Sequence, residues 1–111
     1  MLFLASCSNG IAKYGIYQLE SDNFSNCRIN YRSESSFAIL YGAYSERGAC
    51  VQENSKLTVD IDDSDCVYVF EVKNGDLIYD AKNSIPSEDF VSSGIIEDGS
   101  IFTIAHESKG K

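Results

Sequence analysis

The sequence predicts a mostly β protein, a small antiparallel β-barrel or β-sandwich of about seven or eight strands with at most one short helix. Three observations carry this. Short runs alternate apolar and polar residues with a period of two, the pattern of strands with one face in water. Turn signals rich in Gly, Asn, Asp and Ser interrupt these runs at intervals of about 8–12 residues. No segment sustains the 3.6-residue apolar repeat of a long helix. With 111 residues the chain fits one domain, and 43% apolar residues with seven Tyr and six Phe make it a packed chain rather than a disordered one.

In order along the chain, residues 14–19 form a first strand, which the polar residues 21–26 end. Cys27, Ile29 and Tyr31 then alternate with Arg28, Asn30 and Arg32, a half-wet strand. After a turn at Ser33, Glu34, Ser35 and Ser36, residues 37–41 are continuously apolar and read as a central strand covered on both faces. Residues 41–48, YGAYSERG, read as an exposed loop. Leu57, Val59 and Ile61 alternate with Thr58, Asp60 and Asp62, and an acidic turn follows. The run CVYVFEVKNGDLIYDA is a hairpin, because Asn74-Gly75 supplies the positive φ angles of a type I′ turn. In SIPSEDFVSS, Pro86 near a cap at Ser84 or Ser87 predicts a single helical turn. A second hairpin is expected between residues 95–96 and 100–105 around Asp98-Gly99, and residues 107–111 read as a frayed tail.

Net charge is −8, with Lys and Arg scattered singly, so the chain would repel nucleic-acid phosphates. The same charge suits a basic protein partner. No run reaches the roughly 18 apolar residues that span a bilayer, and no glycine-rich phosphate loop joins a strand to a helix.

Leu4-Ala5-Ser6-Cys7 resembles the lipobox of bacterial lipoproteins, in which cleavage before the cysteine is coupled to diacylglycerol attachment at its thiol. The resemblance implies lipidation at Cys7, a β domain over residues 8–106, and a periplasmic or outer-membrane location. Only six residues precede Cys7, short of a charged region plus about 7–15 apolar residues. Residues 1–7 therefore read as the remnant of a longer signal, or in the alternative as an N-terminal strand of a cytoplasmic protein.

The four cysteines, Cys7, Cys27, Cys50 and Cys66, contain no CxxC, and with His106 as the sole histidine no metal cluster is expected. In an oxidising compartment Cys27, Cys50 and Cys66 are disulfide candidates, with Cys27 to Cys50 favoured because both flank a predicted hairpin. Asp60, Asp62 and Glu71 fall on ligand positions of a calcium loop, but Asp65 stands where that loop needs Gly. The acidic run reads as a solvated turn and these three as weak calcium candidates. His106, framed by no nucleophile motif, reads as an exposed strand-end residue.

Most of the tyrosines are expected to pack on sheet faces. Tyr44 is the candidate anchor for a protein partner, with Glu46 and Arg47 beside it. This stretch is faintly similar, through a Gly, a Tyr and small neighbours at residues 42–45, to the Ser-Gly-x-x-Tyr region of membrane-bound lysozyme inhibitors, themselves small β-barrel lipoproteins. The preceding Ser and that family's tryptophan are absent, so the likeness is an analogy of surface and assigns no membership. The expectation is a non-enzymatic extracytoplasmic binding or inhibitor protein, immunity-like, that recognises a basic enzyme or toxin without a cofactor and touches membrane only through its lipid. One rival is a cytosolic acidic anti-defence protein that mimics nucleic acid; another is a small hydrolase, which requires a concave pocket around paired carboxylates or His106.

Overall fold

The computed structural model describes residues 11–20 and 27–107 of the chain. They form eight strands: β1 (Gly15–Leu19), β2 (Cys27–Ser33), β3 (Ser36–Tyr41), β4 (Tyr44–Glu53), β5 (Lys56–Ile61), β6 (Val67–Lys73), β7 (Asp76–Tyr79) and β8 (Ile101–Glu107). Each pairs antiparallel with the next, and β8 returns to β1, closing a barrel in strict sequence order. A short helix, α1 (Glu88–Ser93), and a 3₁₀ turn at Ala81–Asn83 lie in the connection from β7 to β8. No helix among the described residues is long and apolar enough to cross a membrane.

The alternation read from sequence sets the inside. Tyr17 and Leu19, Ile29 and Tyr31, Phe37 and Ile39, Leu57 and Val59, Phe70 and Val72, and Phe102 all face the lumen and are buried. An eight-stranded barrel is just wide enough for side chains to fill it. Here rings do so. Successive ring contacts run Tyr14–Tyr31–Phe37–Phe70–Tyr79–Phe90–Tyr41–Tyr44, with centroid separations of 4.9 to 6.2 Å. This column links the two ends of the barrel.

The Asn74-Gly75 hairpin forms as expected, with φ of 54° and 87° at its two corner residues. Other elements differ from the sequence reading. Residues 44–48 of the expected 41–48 loop belong instead to the longest strand, β4; its inward row is Glu46, Gly48, Cys50 and Gln52, which hides the apolar alternation. β3 is covered on its inner face, whereas its outward Ala38 and Leu40 are half-exposed. The second hairpin does not form: Asp98 and Gly99 do make a turn, but β8 pairs with β7 and β1, and residues 95 and 96 join no strand. β7 stops early, and the edge it leaves on β6 is covered by residues 80–85 through paired Val67 and Ile85 backbone bonds of 3.0 and 2.7 Å.

Cys27, Cys50 and Cys66 are not disulfide-bonded. The favoured Cys27 to Cys50 pairing fails on register: Cys27 lies opposite Tyr41, which lies opposite Tyr44, and Cys50 is six residues farther along β4. That offset is about 20 Å along the strands, against a Cα separation limit of roughly 7 Å. Cys50 instead accepts a hydrogen bond from Tyr31, and burial pushes its thiol pKa up, the environment of an inert structural cysteine. Cys7 lies outside the described residues.

Gly48 lets β4 close against β5. A Cβ there would sit 1.9 Å from the Asp60 carbonyl oxygen, and neither backbone can yield without breaking the ladder. Gly48→Ala is expected to destabilise the protein by about 1–3 kcal/mol. The check is a urea denaturation curve, with a lower midpoint at unchanged slope.

Candidate functional site

The barrel has one end closed by α1. Ser87 starts the helix, its Oγ accepting from the Phe90 N–H at 3.2 Å, and Gly94, at φ 68°, ends it in the left-handed conformation. Glu88 and Asp89 in the first turn suit the positive end of so short a helix. One residue of α1 is buried, Phe90, and its ring packs at 4.6 to 5.2 Å from Tyr68, Tyr41 and Tyr79. Phe90 is the plug.

A carboxylate holds the plug to the wall. Glu46 turns inward from β4 and accepts hydrogen bonds from Tyr68 Oη at 2.8 Å, from Ser87 Oγ at 2.7 Å and from Tyr41 Oη. The Ser87 N–H donates to Tyr68 Oη at 3.1 Å. Burial, with the Glu46 bond adding to it, raises both phenol pKa values above the ordinary one, so Tyr41 and Tyr68 stay donors. Ser87 and Tyr68 both give and receive hydrogen bonds and Tyr41 gives its proton to the carboxylate, so this network fastens the helix cap.

Outside this network three apolar side chains, Tyr44, Val91 and Ile95, reach the surface at this end. Tyr44 is 49% exposed and stacks on Tyr41 at 5.6 Å. Val91, on the solvent side of α1, is 62% exposed. Ile95 reaches the β3–β4 turn, where its Cδ1 lies 3.6 Å from where a Cβ on Gly42 would stand. Glu88 and Asp89 flank these side chains, both exposed. The result is an apolar surface with acidic neighbours, held on a rigid aromatic base.

The three residues expected to share a partner surface are placed separately. Tyr44 is on the plugged end, Glu46 points into the barrel beneath it, and Arg47 projects outward from the wall, because successive strand residues face opposite sides. The sequence marks Ser87 only as a helix cap and Ile95 only as part of a hairpin, and Val91 not at all; the signal for Val91 is an apolar residue beside Phe90 on a helix of only six residues.

The calcium candidates are dispersed: Asp60 pairs with Val67 and Asp62 lies in the following turn, but Glu71 is opposite Lys56, four residues farther along β5. Among the described residues no group of three metal-ligating side chains converges. His106 is exposed on β8 opposite Ile16 and borders a cleft with Glu107 and Arg32. Among the described residues, those lining that cleft include no Ser, Thr or Cys. No family model, no curated protein and no solved structure matches the chain.

Ser87→Ala removes the helix cap and one donor to Glu46 together, and is expected to cost about 1–2 kcal/mol. Amide hydrogen exchange checks it, with protection lost first in residues 88–93. High pH gives a second prediction. Burial pushes Tyr17 up to about 12 from 10.0, and Tyr31, Tyr41 and Tyr68 are raised too. The folded protein therefore holds protons that the unfolded chain releases near pH 10, so this stability is complete below pH 10 and falls as pH rises through about 12. Phenolate absorbance from the buried rings should appear in step with loss of circular dichroism.

Proposed function

We propose that the protein is a non-enzymatic extracytoplasmic binding or inhibitor protein that engages a protein partner through the plugged end of its barrel. The observation that carries this reading is Tyr44, half-exposed yet held by stacking on buried Tyr41, whose hydroxyl is itself held by Glu46. An aromatic ring fixed before binding loses little conformational entropy on association, which is the property of interface anchors. Val91 and Ile95 extend the apolar area, and a net charge of −8 with Glu88 and Asp89 at the rim favours a basic partner such as an enzyme or toxin.

Placement outside the cytoplasm rests on the lipobox-like Leu4-Ala5-Ser6-Cys7, which would tether the barrel through a lipid on Cys7. In this reading the barrel supplies no reactive centre and needs no cofactor. Its work is shape and charge.

Capture from envelope extracts, followed by purification of the captured protein, tests the surface. Tyr44→Ala and Val91→Asp are each expected to weaken binding about 30-fold, as loss of an anchor worth about 2 kcal/mol does. Capture of every partner at unchanged affinity by both variants would refute the plugged end as the binding surface.

A further inference from the structure

The outer wall over β8, β1, β2, β3 and β4 carries a second feature. Registers align His106, Ile16, Asn30, Ala38 and Arg47 in one row across these five strands. Short side chains at Asn30, Ala38 and Ser36 lie between the long ones of Arg32 and Arg47, so the wall dips there. One depression, of about 250 Å³, is lined by Arg32, Arg47, Ser35, Ser36 and Asp62. It meets a cleft of about 560 Å³ that runs over Ile16 to His106 and Glu107. Asn30 and Arg32 line both.

Two further facts give this groove a chemistry. The chain has three arginines, Arg28, Arg32 and Arg47, all on this wall of an otherwise acidic protein. Among the described residues none is in an ion pair; the one found there joins Lys13 to Glu107 at 3.7 Å. At the seam of the two depressions Asn30 Oδ1 is buried without a hydrogen-bond partner among the described residues. A buried acceptor without a donor is costly, and turning the Asn30 side chain outward would bring Oδ1 to a ligand donor and relieve that cost.

We propose that the depression between Arg32 and Arg47 is an oxyanion-binding subsite. Its ligand carries a carboxylate or phosphate group for the two guanidiniums, a hydrogen-bond donor for Asn30 Oδ1, and an apolar body that lies over Ile16 toward His106. Guanidinium forks match the planar geometry of such oxyanions. Asp62 in the depression and Glu107 in the cleft disfavour ligands that carry a second anionic group. This site is on the wall, and it stands or falls apart from the plugged end.

Titration of the full chain with N-acetylphenylalanine, with its methyl ester and with phenyl phosphate, followed by amide and side-chain NMR shifts, tests the site. Saturable shifts of the Asn30 side-chain amide and of Ile16 are expected with the acid and not with the ester. A tighter fit of phenyl phosphate would assign the head group to phosphate, and of N-acetylphenylalanine to carboxylate; either supports the subsite. Arg32→Gln and Arg47→Gln should each weaken binding about tenfold, as loss of a charged hydrogen bond does. Arg28→Gln, which removes the same charge from the same wall outside both depressions, should leave binding unchanged. Absence of saturable shifts, equal binding of ester and acid, or equal weakening by Arg28→Gln would overturn the proposal. The comparison of acid with ester in the unmutated chain decides even where a variant fails to fold.

Discussion

Closure of β1 onto β8 is the constraint on which the rest of this molecule depends. Pairing of Gly15 through Leu19 with residues 102–107 joins the first and last strands of the sheet and turns eight inward rows toward a single lumen. A lumen of that width must be filled by large side chains. The aromatic column from Tyr14 to Tyr44 does this, and each offset or edge-on ring pair adds about 0.5–1.5 kcal/mol beyond the area it buries. A barrel also has two ends. Phe90 fills one; at the other, buried Ala12 donates its N–H to Gln52 Oε1 at 3.0 Å, and Tyr17 Oη donates to the Lys13 carbonyl at 2.6 Å.

The plug links stability to the proposed binding surface. Ser87, Tyr41 and Tyr68 each donate to Glu46, and the same Tyr41 ring supports Tyr44 from below. Preorganisation of Tyr44 thus depends on the network that closes the barrel. Loosening the cap would leave Tyr44 exposed but no longer fixed, and a mobile ring is a weaker anchor. The wall groove is independent of that network, since its arginines come from the outward rows of β2 and β4. Opposite parities of a single strand, Tyr44 and Glu46 against Arg47, serve two different surfaces.

Much of the barrel can be read from local pattern. β2 and β5 show apolar and polar residues in strict alternation, Asn74-Gly75 marks its hairpin through positive φ, and Ser87 ahead of Glu88 and Asp89 marks a helix start. β4 escapes such reading because its inward row is polar or small: Glu46 is satisfied by hydroxyls from three other elements, and Gly48 is required by the approach of β5. A residue that looks solvent-facing in sequence is inward here because distant partners neutralise the cost of burying it.

Local chemistry in the chain decides that it is β-rich, acidic and aromatic, and where most strands begin and turn, since side-chain alternation and turn residues act over a few neighbours. Tertiary structure alone decides that the sheet closes, that Cys27 and Cys50 are held apart, that Glu46 is a fastener and that Arg32 and Arg47 flank one depression. Those outcomes depend on register between strands distant in sequence, and register is set by how the whole lumen packs.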